Sequence, residues 1–372
     1  MAFTTIDDPS AHFQVKNWTS TDTGDNVSQT FDGNSDMQPD MIWHKANMAS
    51  DHGIFSSILY GSSYDGSSSQ TAGIPCPNRE ESAYTEAANV DFHSFDSDGF
   101  TLDSSSQIDT APGSNKKMTN WCWKATGGTS TNVSASSGII AVSHQANTTS
   151  GYTQFSYQGN GSGSQQISHG MGRKLDFIMI KNREQSDHWA VFHRELANQS
   201  ASKTFQLSSN AAASTSPNPF DSNLGGNSTF YVADDHEVNA NGENYIGFGW
   251  ASTQGFSKVG RFKGNGSTDG PFIYTGFRPA WLMYKEDEAQ GGWGIWDHGS
   301  DNGPYNPIDK RYLANATTAQ DTSNDNRIDF VSNGFKVRTS SGGFNQDGRE
   351  IYYIACAHQP FTSSQGVPAN AR

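Results

Sequence analysis

A chain of 372 residues with a net charge of −14, 33% hydrophobic residues and yet 12% aromatic residues excludes several classes at once. Disordered chains do not carry so many rings, and phosphate-backbone binding needs a basic footprint. Here 24 Lys and Arg face 38 Asp and Glu, and no basic run exceeds a pair such as Lys116–Lys117, so nucleic acid is not an expected partner. No apolar run approaches the roughly 20 residues of a membrane-spanning helix, so no membrane insertion is expected. Polar loops around ring-rich strands point instead to an all-β protein.

In chain order, the opening AFTTIDDPSAHFQ has neither the basic nor the apolar stretch of a signal peptide. The expectation is a protein made in a cytoplasm and kept soluble. Residues 1–25 have no counterpart later in the chain and read as a mobile docking arm. At QTFDGNSDMQPDMIWHKA (29–46) a pattern begins that recurs at FSYQGNGSGSQQISHGMGRKLDFIMIK (155–181) and VGRFKGNGSTDGPFIYTGFRPAWLMYK (259–285). Each has Gly-Asn, a polar stretch, and a buried-looking run ending in lysine: DMIWHK, DFIMIK, AWLMYK. Each closes on an aromatic strand, TNWCWKAT, YIGFGWAS or YYIACAHQ. The separations from Asn34 to Trp123, Asn160 to Trp250 and Asn265 to Cys356 agree to within two positions, which argues for internal repetition.

Before the last strand, FDSDGFTL (95–102) and DFVSNGFKV (329–337) carry Asp-Gly and Asn-Gly hairpin signals, in which glycine supplies the positive φ of a tight turn. The middle copy has YVADDHEVN (231–239) there, without the glycine. Short helices are expected near REESAYTEAA (79–88) and DKRYLANAT (309–317), and strand alternation in Trp189–Arg194. Cys76, Cys122 and Cys356 are far apart and without zinc spacing, and read as buried thiols. The predicted organisation is a docking arm at 1–25, β-sandwich units at 26–128, 152–254 and 255–362, a connector at 129–151 in which GIIAVS could add a strand, and a tail at 363–372. Each unit has the size of a sandwich domain with long polar loops.

The opening AFTTIDDPSAHFQ, together with FDGNSDMQPDMIWHK, WCWKA, TGFRPAWLMYK, RIDFVSNGFKVRTSSG and the closing VPANAR, resembles a family of repeat proteins of marine bacteriophages (cyanophage and pelagiphage). The resemblance covers nearly the whole chain. It implies virion or tail-associated β-sandwiches, related in style to concanavalin-type lectins. The implied role is a virion structural protein: a tail fibre or tail-associated adhesin contacting other virion proteins and host-surface glycan. The alternatives are a capsid decoration or head-fibre protein and, of a different class, a polysaccharide depolymerase. Repetition favours weak multivalent contacts and homo-oligomeric, trimeric assembly.

The residues offer little chemistry. DTSNDN (321–326) spaces Asp321, Ser323 and Asp325 like the start of a calcium loop but lacks its Gly and distal Glu. DDHE (234–237) reads as a hairpin tip, and Glu286, Asp287 and Glu288 as a surface charge run rather than a glycosidase pair. Neither a G-x-S-x-G elbow nor a Walker loop occurs. No catalytic residue, cofactor or metal is expected, and the protein is read as a non-enzyme. The histidines, among them His193, His298 and His358, are assigned structural roles. The candidate ligand contacts are Trp293, Trp296, Asp297 and Tyr305, in a glycine-rich segment able to present rings to solvent, whereas Trp121, Trp123 and Trp250 belong to final strands and to the core.

Overall fold

The computed structural model describes residues 4–19, 26–46, 57–62, 76–78, 80, 92–103, 117–215, 218–221, 225–287, 291–299, 305–316, 318, 320–321, 326–340 and 342–368. The strands fall into three groups. In the first, β1 (Phe13–Thr19), β2 (Asn26–Gln29), β3 (Met41–Ala46), β4 (Ser57–Gly61), β5 (Phe92–Asp96), β6 (Gly99–Asp103) and β7 (Lys117–Trp123) form a main sheet β1-β7-β3-β4 and an outer sheet β2-β6-β5. The second contains β8 (Thr131–Val133), β9 (Val142–Asn147), β10 (Tyr152–Gln158), β11 (Gln165–Ser168), β12 (Phe177–Asn182), β13 (Ala190–His193), β14 (Phe205–Gln206), β15 (Thr229–Val232) and β16 (Asn244–Trp250). Its main sheet runs β14-β13-β12-β16-β10-β9-β8, with β11-β15 outside. The third contains β17 (Ser257–Lys263), β18 (Phe272–Tyr274), β19 (Phe277–Glu286), β20 (Gly294–Asp297), β21 (Tyr312–Leu313), β22 (Ile328–Val331), β23 (Gly334–Val337) and β24 (Glu350–Pro360). These make β17-β24-β19-β20-β21 and an outer β18-β23-β22. All named strand pairs are antiparallel, and the protein is all-β, of sandwich type.

The three main sheets share an order: an opening strand, the closing strand, the apolar run, then the strand after it. Their registers agree. Trp123 lies between Phe13 and Met41, Trp250 between Tyr152 and Phe177, and Cys356 between Ser257 and Trp281. Alternate residues of each run point to opposite covered faces, which is why the runs are continuously apolar. Phe177 and Met179 join a central core shared by all three sheets, while Ile178 and Ile180 join the cluster beneath the outer sheet, with Phe155 and Phe230. Trp123 ties the centre together, with its ring 5.8 Å from Trp250 and 5.2 Å from Trp281.

Three indoles cross the seams between sheets. Trp189 donates to the Cys76 carbonyl (3.0 Å), Trp293 to the Gln206 carbonyl (2.9 Å) and Trp121 to Asp297 Oδ2 (3.1 Å). The lysines that end the apolar runs do the same. Lys45 Nζ donates to Ala316 O (2.6 Å), Lys181 to Glu80 O (2.9 Å) and Lys285 to Asn210 O (3.1 Å), and all three side chains are fully buried. Burial pushes Lys45 down to about 7 and Lys285 to about 8, where Glu286 and Asp287 partly oppose it. The first sheet thus meets the second, the second the third, and the third the first.

Several expectations are corrected. Of the segment 1–25, the described residues 4–19 are not a free arm: β1 pairs with β7 along its whole length, Ile6 is buried, and the Thr4 hydroxyl donates to Gln254 O (3.1 Å). Phe13 and Val15 supply core surface, so the segment is held by burial. Nor is 363–372 wholly a free tail, because Ser364 N donates to Asp7 Oδ1 (2.6 Å). Residues 129–151 are not merely a connector, since β8 and β9 extend the second main sheet. Gly159-Asn160-Gly161 and Gly264-Asn265-Gly266 fold alike, with Asn160 N and Asn265 N donating to the side chains of Asn239 and Asn345 (2.9 and 3.0 Å). Gly33-Asn34 instead follows β2 rather than an opening strand, so the matching count from Asn34 is a coincidence and the first group opens at β1. The hairpin glycines follow two-residue turns, at Gly99 and Gly334, and are required by crowding. A Cβ there would sit 2.0 Å from the carbonyl oxygens of Gln29 and Ile273.

The expected helix at 309–317 is replaced by β21, and strand β13 ends at His193, which caps a six-residue helix α1 (Arg194–Gln199) by accepting from Glu195 N (3.2 Å). Of the expected helix at 79–88 only Glu80 is described. The three cysteines are buried and none forms a disulfide.

Candidate functional site

The glycine-rich segment does not present its rings. Trp293 and Trp296 are 1% and 0% exposed, and Asp297 is buried as the acceptor of the Trp121 indole. Trp296 stacks on Tyr284 with centroids 4.9 Å apart and packs on Phe344. The glycines explain the difference: a Cβ on Gly294 would lie 2.0 Å from the Tyr284 ring, so the bare backbone makes room for a neighbouring ring rather than exposing its own. Tyr305 alone of the four is exposed, at 75%. Glu286 and Asp287 are not a surface charge run. Both are buried, Glu286 facing Arg349 (3.7 Å) and Asp287 facing Lys203 (3.3 Å); Glu288 lies outside the described residues.

The remaining candidates are structural. In DTSNDN, Asp321 pairs with Arg311 (2.9 Å) and accepts from Asn326 (2.8 Å), while Ser323 and Asp325 fall outside the described residues. In DDHE, Asp235 caps Glu237 N, and Glu237 is buried against Gln206. Desolvation raises Glu237 to about 7. Among the described residues no group of three or more His, Cys, Asp and Glu could hold a metal ion, and no helix is long and apolar enough to cross a membrane.

The feature that stands out is on β18, an edge strand of the third outer sheet. Its central Ile273 points inward at 8% exposure, which turns Phe272 and Tyr274 outward at 49% and 54%. Nearly every other described large ring is buried. The corresponding strand β11 places Gln166 and Ser168 on either side of the buried Ile167, and β2 holds no aromatic residue. The rings are flanked by charge. Lys258 Nζ donates to Tyr274 O (2.7 Å) and lies 5.8 Å from the Tyr274 ring centroid, its pKa lowered by burial. Lys336, opposite Phe272 in the register, pairs with Asp269 (2.8 Å). This arrangement is an apolar step with hydrogen-bonding groups at its margin, able to stack on a flat ligand face. The signal was present in the sequence, where Phe-Ile-Tyr stands in the place of Gln-Ile-Ser, but the comparison needs the strand register.

Fold and surface together define an antiparallel all-β sandwich protein with one exposed aromatic strand among the described residues. The chain belongs to the family described as a domain of unknown function (DUF7483), whose profile matches residues 8–360. No curated protein and no solved structure matches it.

Proposed function

We propose that this chain is a non-enzymatic virion structural protein of a marine bacteriophage, built from three copies of one sandwich unit, that attaches to host-surface glycan through β18. The exposure of Phe272 and Tyr274 carries the reading. A soluble protein that leaves two rings half exposed forgoes about 2 kcal/mol of burial, and such patches mark interaction surfaces. Stacking on rings, with polar groups around them, suits the apolar faces of sugars. The sequence resemblance supplies the virion context. Assembly as a trimer multiplies a weak site.

The test is binding of purified protein to host cells and to isolated surface polysaccharide. The double variant Phe272→Ser/Tyr274→Ser is expected to lose affinity by at least about tenfold, since two anchoring rings contribute on the order of 1 kcal/mol each. Undiminished binding by that variant refutes the site. Retention on empty capsids but not on cells selects the capsid-decoration role, and release of new reducing ends selects the depolymerase.

A further inference from the structure

The seam between the third and first sheets differs from the other two at matching positions. Before each apolar run stands Asp40, Asp176 or Ala280, and the carbonyl of each accepts from the backbone N–H of Ser62, Arg194 or His298 (2.8, 2.7 and 2.8 Å). At the first seam the Asp40 carboxylate accepts from Ser62 Oγ (2.8 Å), which also bonds Gln145 and Gln154 of the second sheet. At the second, Asp176 faces Arg194 (3.5 Å). At the third the carboxylate is gone, and a cleft of about 300 Å³ opens beside Ala280, His298, His358 and the segment from Asp7 to Val15.

We infer that this cleft is a second ligand site, independent of β18, which takes a single uncharged sugar unit. Its volume lies at the lower end of ligand pockets, roughly 300–1,000 Å³. Its walls are polar and fixed before any ligand arrives. Asp8 is held by Ser10 N and Oγ (3.0 and 2.6 Å) and by Ser35 Oγ (2.5 Å), and Asp7 by Ser364. Gln14 is held by Gly33 N, Ser10 O and Ser35 O (3.0 Å each). His298 packs 4.4 Å from His358 between ring centroids. The Nδ1 of His298 is sealed from solvent and has no hydrogen-bond partner among the described residues.

Charge selects the ligand. Asp7, Asp8 and Asp32 line the cleft, and among the described residues the cation paired to any of them is Lys16, 3.4 Å from Asp32. An anion is repelled, whereas hydroxyl groups can donate to the carboxylates. The imidazoles, held neutral at neutral pH at His298 by burial and the nearby Arg278, and the amides of Asn34 and Gln359 complete the polar lining.

The experiment uses full-length protein labelled with ¹³C-histidine, and imidazole NMR spectra recorded as glucose, galactose, mannose or N-acetylglucosamine is titrated to millimolar concentration, with glucuronate as the anionic control. The expected result is a saturable shift of the His298 and His358 signals by at least one neutral sugar and none by glucuronate. The shift should persist in Phe272→Ser/Tyr274→Ser. It should vanish in Ala280→Asp and in His298→Ser, each of which installs the residue of another seam; two variants guard against one failing to fold. Absence of a shift with every neutral sugar overturns the inference, as does a shift that survives both seam variants or disappears with the β18 rings.

Discussion

Asp40 gives the sharpest test of how the first seam is held. Its carboxylate is fully buried and accepts four hydrogen bonds: from Ser62 Oγ (2.8 Å), Ala125 N (2.7 Å), Gly127 N (2.8 Å) and Gly128 N (2.6 Å). Asp40→Ala removes the acceptor of all four donors, but not at equal cost: the Ser62 hydroxyl keeps Gln145 Oε1 as an acceptor (2.9 Å). Gly128 is exposed and Gly127 half-buried, so water replaces the carboxylate there, while Ala125 N is sealed in. With about 1–3 kcal/mol per buried donor left unpaired, the variant should lose ~3 kcal/mol. Asp176→Ala should lose less, because Asp176 receives a single backbone bond, from Ser252 N (2.8 Å), and its side chain is 24% exposed. Urea unfolding followed by tryptophan fluorescence and far-UV circular dichroism measures both. A loss below about 1 kcal/mol for Asp40→Ala, or a larger loss for Asp176→Ala, refutes this account of the seam.

Other outcomes follow from the same contacts. Trp123→Ala should cost at least about 3–5 kcal/mol, because its ring bridges all three sheets, and should broaden near-UV dichroism across the protein. Gly334→Ala should destabilise by more than about 1 kcal/mol, since its Cβ would meet the Ile273 carbonyl; a neutral melting temperature would contradict it. Burial lowers His193 to about 3 and His169 to about 4. The unfolded chain therefore binds more protons at these sites below pH ~6.5, and their contribution to stability falls as pH drops. Thermal melts between pH 4 and 7.5 should show a smaller decline in His193→Gln. Glu237 has the opposite sign. Raised to about 7, it favours folding below the unfolded value and loses that contribution as pH rises through 7. Glu237→Gln should remove up to about 3 kcal/mol of this pH dependence, read by the same melts.

The strands were legible where covering on both faces forces a continuous apolar run, as in residues 177–180, and where a lysine marks its end. The face that each ring takes was not legible. Trp293 beside glycines reads as exposed until Tyr284 is seen filling the space above Gly294, and Phe272 reads as ordinary strand until Ile273 claims the interior. Likewise Phe13 and Val15 show no pairing partner in the local sequence, because β7 lies about a hundred residues away. Long-range pairing, the property that local pattern does not encode, decided both the N-terminal segment and the candidate site.

Because the third sheet returns to the first, biosynthesis acquires a direction. A nascent chain that has completed its first hundred or so residues still lacks Tyr312, whose hydroxyl meets Thr119 (2.7 Å), and Asp297, which receives the Trp121 indole. Until the ribosome delivers those partners, a tryptophan-rich wall faces solvent, and it is during that interval that chaperone capture or premature association of neighbouring chains competes with closure.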